Sequence, residues 1–141
     1  MSQTAIFWPM IALTLLIYVV YALLMLRRRE AVTSGQASSR DFKLPLKEPE
    51  ASAATIRNLI NLYELPMLFY VVCLALYAVN GSSFLAVLLA WLFVAARIAH
   101  TFVHVTSNRL SLRQPLFVIG FILNGALWVI LALHLAVPPI A

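Results

Sequence analysis

Three sets of residues in this sequence have the types and spacing to work on a ligand together. Arg57, Asn61 and Glu64 stand at i, i+4 and i+7, one face of a helix. Arg97, His100 and His104 stand at i, i+3 and i+7, with Thr101 beside that stripe and Asn108 extending it. Arg109 and Arg113 follow closely. Set against Glu64, the single carboxylate among them, these arginines suit an anionic ligand, because guanidinium groups bind carboxylates and phosphates through paired hydrogen bonds.

Other chemistries fit less well. His100 and His104 have the i, i+4 spacing of a two-histidine metal site. The only third ligand in view is Glu64, which Arg97 is expected to occupy, and a cationic cleft repels a cation, so no metal is expected. Cys73 is the sole cysteine, lies in an apolar run and cannot form an intrachain disulfide. His134 stands alone near the end of a late apolar segment. Asn124 with Gly120 and Gly125 reads as close helix packing.

The elements that must hold these residues are apolar. The chain has 141 residues, of which 63% are hydrophobic and 11% charged, far from the balance of a soluble domain. Residues 6–26 carry no charge, long enough to span a bilayer core of about 30 Å. Arg27, Arg28 and Arg29 stop that run, and no basic residue precedes it, so it does not read as a cleavable signal peptide. A polar connection, 27–55, leads to a second helix over about 56–79, which contains Pro66. The turn Asn80-Gly81-Ser82-Ser83 precedes a third helix over about 84–107. The fourth covers about 115–137, with Pro115 in its first turn. The expectation is one domain over 1–141, an all-α integral membrane four-helix bundle.

Charge gives the orientation. All ten Lys and Arg residues lie between 27 and 57 or between 97 and 113. The positive-inside rule puts both termini outside and the 27–55 and 108–114 loops in the cytoplasm. The net charge of +5 therefore records topology, and no nucleic acid partner is expected. The compact loops and the lack of a retention signal fit a bacterial inner membrane. Glu64 and Arg97 fall at similar depths from the cytoplasmic side, about 12 and 15 Å at helical rise. A lone charge there would cost at least about 2.5 kcal/mol, so the two are expected to form an ion pair, within a chain or across a subunit boundary.

At these residues the chain resembles the superfamily of membrane-associated proteins in eicosanoid and glutathione metabolism, the MAPEG superfamily. Arg57, Asn61 and Glu64 match its helix-two signature without a gap. The segment ARIAHTFVHVTSNRLSLRQP is similar to the corresponding segment of microsomal prostaglandin E synthase, with Arg97, His100, Thr101, Arg109 and Arg113 on matching residues. The resemblance covers nearly the whole chain. It implies a homotrimer that binds glutathione between subunits near the cytoplasmic side. Arg57, Asn61, Glu64, His100, His104 and Arg109 would be the candidate glutathione contacts, with Glu64 at the α-amino end and Arg57 and one of Arg27 to Arg29 at the carboxylates. Arg113 would be the catalytic residue that stabilises the thiolate, which agrees with the lowering of a thiol pKa by a nearby guanidinium. Four positions differ from the family pattern: His104 and Phe117 replace tyrosines, Gln114 a serine and Ile60 an arginine.

The implied function is a glutathione-dependent membrane transferase or peroxidase acting on lipophilic electrophiles that arrive from the bilayer. The alternative is a non-catalytic membrane scaffold whose cationic cleft binds an anionic lipid or peptide. A channel or transporter is disfavoured, because the chain has no internal repeat.

Overall fold

The computed structural model describes residues 2–38, 40–43 and 48–136. It is an all-α four-helix bundle: α1 (Phe7–Thr33), α2 (Glu50–Ala78), α3 (Phe84–Val105) and α4 (Leu110–Ala136). Single 3-10 turns at Gln3–Ile6 and Asp41–Lys43 flank α1. Every one of the four helices is long and apolar enough to cross a membrane. This is a multi-pass integral membrane protein.

The helices differ from the expected spans at the ends that carry the basic residues. Helix α1 does not stop at Arg27–Arg29 but runs on to Thr33, and α2 starts at Glu50 instead of residue 56. Helix α4 begins at Leu110, so Pro115 lies inside it, past the first turn. The physical reason is common to all three. Charges mark where a helix leaves the hydrocarbon, but in water its backbone hydrogen bonds still form, so the helix continues.

Short turns at 79–83 and 106–109 make α2–α3 and α3–α4 antiparallel neighbours. Asn80 (φ 57°) and Asn108 (φ 47°) supply the left-handed residue in each, a conformation asparagine tolerates better than most residues. Helix α3 is the central element. It buries Ala86, Ala90, Phe93 and Val94 in its N-terminal half, then Arg97, His100, Thr101 and His104 along the same face toward its C-terminal end. The apolar half packs Phe93 on Phe69 of α2, with ring centroids 4.4 Å apart and planes nearly parallel. At the end of the bundle that carries the 79–83 turn, the Ser82 amide donates to Gln3 Oε1 at 3.0 Å, and His134 Nε2 donates to the Val79 carbonyl at 3.0 Å. His134 thus closes the C-terminal end of α2.

At the opposite end of the bundle the contacts are made by charged side chains. Arg27 donates from Nη1 to Thr55 Oγ1 and from Nη2 to the Val105 carbonyl, both at 2.6 Å, tying α1 to α2 and to the end of α3. Arg28 forms a fork on Glu48, with Nε to Oε1 at 2.9 Å and Nη2 to Oε2 at 2.6 Å. This pairing holds the Glu48 carboxyl below the usual carboxylate range. With Arg27 and Arg28 so engaged, their charges serve the fold.

Candidate functional site

The polar half of α3 faces a cleft between α2 and α4. Two cavities adjoin there. One, of about 450 Å³, is lined by Asn61, His100, Arg113, Gln114, Phe117 and Val118. The other, of about 210 Å³, is lined by Arg57, Ile60, Asn61, His104 and Arg113. Asn61 and Arg113 belong to both, so the two form one cleft, in the size range of small-molecule sites. Arg57, Asn61, His100, His104 and Arg113 of the sequence-derived set are therefore together. Its wall is mixed: two guanidiniums, two amides and two imidazoles, with Ile60, Phe117 and Val118 on the apolar side.

Two expected members lie elsewhere. Arg109 is exposed and lines neither cavity. Its backbone carbonyl accepts the Arg113 amide at 3.0 Å and so opens α4. Glu64 shares a helical face with Arg57 and Asn61, yet it is exposed on the protomer and lines neither cavity.

The Glu64–Arg97 ion pair does not form within the chain. Helix α2 turns Asn58, Leu62 and Leu65 inward, which directs Glu64 outward. Arg97 is wholly buried, with its guanidinium carbon 5.4 Å from the Phe93 ring centroid and 5.0 Å from that of Phe117. These are cation–π distances. Gly120 of α4 makes the room: a Cβ there would sit 3.0 Å from Arg97 Nη2. None of the Arg97 side-chain nitrogens has a hydrogen-bond partner among the described residues. Phe117 therefore both lines the cleft and covers Arg97.

One interior contact pairs Thr101, of the expected residues, with Asn58, which is not among them. The Asn58 amide meets the Thr101 hydroxyl at 3.3 Å, both side chains buried, and joins α2 to α3 behind the cleft. Asn58 follows Arg57 directly, and the sequence signal is its place four and seven residues before Leu62 and Leu65, which share its helical face and point inward. Gln114, beside Arg113, also enters the larger cavity. Among the described residues no three His, Cys, Asp or Glu side chains gather as a metal-binding group.

Arg113 is held by two acceptors. Its Nη1 donates to His104 Nε2 at 3.0 Å and to Asn108 Oδ1 at 2.8 Å. Both acceptors come from the end of α3 and the turn after it.

A profile of the MAPEG family matches residues 5–133. The chain belongs to the MAPEG family. No curated protein and no solved structure gives a significant match. In this MAPEG protein the cleft between α2, α3 and α4 gathers Arg57 of the helix-two stripe, His100 and His104 of the helix-three stripe and Arg113 of α4, and among the described residues Arg113 is the cation that borders both of its cavities.

Proposed function

We propose that this protein is a glutathione-dependent membrane enzyme, a transferase or peroxidase acting on lipophilic electrophiles. The observation that carries this reading is the cleft that brings Arg57, Asn61, His100 and Arg113 together next to apolar walls. The chemistry of the donors fits the tripeptide. Arg57 offers a guanidinium to a carboxylate, and Asn61 and Gln114 offer amides to its peptide groups. The ammonium end needs an acidic partner. Glu64 supplies it in a homotrimer, where the outward face of α2 meets a neighbouring subunit and the site completes between them.

Bound there, glutathione supplies a thiol whose thiolate displaces a leaving group from an electrophilic carbon, or, with a second glutathione consumed and the disulfide formed, reduces a peroxide to an alcohol and water. Arg113 stabilises the thiolate as a fixed cation, the thiol proton passing to water at the cytoplasmic mouth. Phe117, Val118 and Ile60 exclude water on the side from which an apolar substrate enters. The clustering of Lys and Arg at 27–57 and 97–113 supports a cleft that opens toward the cytoplasmic face of the membrane.

Phe117 and Ile60 also favour a second reading, a scaffold that binds an anionic lipid or peptide without reaction, since neither can hydrogen-bond to a ligand. One titration separates the two. Glutathione is added to the purified protein in detergent while thiolate absorbance is followed, for wild type and Arg113→Ala. The enzyme predicts a thiolate signal that the variant loses. Binding without a thiolate signal supports the scaffold, and no binding rejects glutathione as the ligand.

A further inference from the structure

Arg113 is oriented by groups that leave its charge intact. An arginine nitrogen only donates hydrogen bonds, so His104 Nε2, 3.0 Å from Arg113 Nη1, must accept. The imidazole is then neutral, with its proton on Nδ1. Asn108 Oδ1 accepts from the same Nη1 at 2.8 Å. The two hydrogens of Nη1 are thereby used, and the edge formed by Nε and Nη2 makes no hydrogen bond among the described residues. We infer that His104 and Asn108 are positioning residues: they grip one end of the Arg113 guanidinium with two neutral acceptors and present its other edge to the cleft as a full cation.

Each part of this grip has a structural reason. His104 is 1% exposed, so its ring cannot move away from Arg113 without opening the bundle. Its neighbour His100 packs edge-on at 5.5 Å and fixes the ring plane. Asn108 holds a left-handed backbone, φ 47°, at the α3–α4 turn, which aims its short side chain back across the turn at Arg113. A carboxylate in either position would hold the guanidinium as well, but it would offset the charge on which thiolate stabilisation depends. His104 acts through Arg113 and is not itself a glutathione contact.

This inference rests on the glutathione reading for its consequence, though not for the geometry, and two measurements keep them apart. First, ¹⁵N NMR of the imidazole in the protein without glutathione should show the Nδ1–H tautomer for His104, and the Nε2–H tautomer would overturn the inference. Second, glutathione affinity and the pH midpoint of thiolate formation are measured for His104→Gln, His104→Phe and Asn108→Gly. Gln keeps an acceptor where Nε2 stands, and Gly keeps the left-handed backbone while removing Oδ1. His104→Phe and Asn108→Gly should raise the thiolate midpoint by about half a unit or more, with affinity changed less than about twofold, and His104→Gln should return to the wild-type midpoint. A tenfold loss of affinity in His104→Phe with an unchanged midpoint would make His104 a ligand contact and overturn the inference. Equal midpoints in His104→Gln and His104→Phe would do the same. Wild-type protein that takes up no glutathione while showing the Nδ1–H tautomer would reject the function and leave the grip standing.

Discussion

Gly120 and Gly125 stand on one helix in opposite surroundings. A Cβ at Gly120 would press on Arg97 Nη2 at 3.0 Å and Nε at 3.2 Å, whereas one at Gly125 meets nothing within 4 Å. Arg97 cannot retreat, because Phe93 and Phe117 enclose it. Gly120→Leu should therefore destabilise the bundle by about 1–3 kcal/mol, the usual result of overpacking. Gly125→Ala should be neutral or stabilise by up to about 1 kcal/mol, since it only removes the helix penalty of glycine. Thermal unfolding in detergent reads the difference, and equal effects at the two sites would contradict the packing described for Arg97. The Asn58–Thr101 contact makes a second case. Thr101→Val should cost about 0.6–1.7 kcal/mol, the range for hydrogen bonds between membrane helices, and the double variant with Asn58→Leu should cost less than the sum of the two singles. Residue spacing made the Arg57–Asn61–Glu64 face legible, because side chains at i, i+4 and i+7 must share a face. It did not say which way that face points. Only the packing of Asn58, Leu62 and Leu65 decides that, and with Glu64 outside and Arg97 inside, equal depth along the bundle no longer brings them into contact.

At the level of elements, the sequence showed where apolar surface begins and ends, which locates four spans but not four helices. Arg27, Arg28 and Arg29 illustrate the gap. They mark the end of the apolar run, and they also sit within α1, where Arg27 ties down α2 and α3 and Arg28 ties down the connection leading to α2. The Arg113 grip was equally hidden, since it depends on a left-handed Asn108 turning the chain between α3 and α4. The Arg28–Glu48 fork, with the Arg28 guanidinium 5.1 Å from the Phe42 ring, ties Glu48 and Phe42 to α1. Its pH dependence follows from the direction of the Glu48 shift. The folded carboxyl titrates below its ordinary value of 4.5. Its contribution is complete above the unfolded value and is lost as the pH falls through the lowered folded value. Limited proteolysis between α1 and α2 should accelerate in Glu48→Gln at neutral pH, and wild type should approach the variant's rate only when acidified below pH 4.5. A variant cleaved no faster than wild type would show that the fork does not anchor Glu48 to α1.

For the whole molecule, a single chain leaves a problem that assembly would solve. Its outward α2 face carries Arg57 and Glu64 among exposed Ile60, Tyr63, Met67 and Leu68. An ionised carboxylate facing lipid near mid-membrane costs about 2.5–3.5 kcal/mol, and a neighbouring subunit that brings a hydrogen-bonding or cationic group removes that cost. The same contact would supply the acidic side that the cleft of a single protomer lacks. A homotrimer is the assembly expected, and native mass spectrometry from detergent should record its mass for wild type. Glu64→Leu tests what covers this face. If a polar group of a neighbour meets Glu64, the substitution leaves that group unpaired, and the trimer should dissociate at lower collision energy with weaker glutathione binding. If Glu64 faces lipid, replacing it with leucine relieves the cost instead: the protomer melts higher and the oligomer is unchanged. The first outcome is expected, because Glu64 shares its face with Arg57 and Asn61, which border the cleft, and a carboxylate serving the ligand's ammonium has to be covered by the same assembly that completes the site.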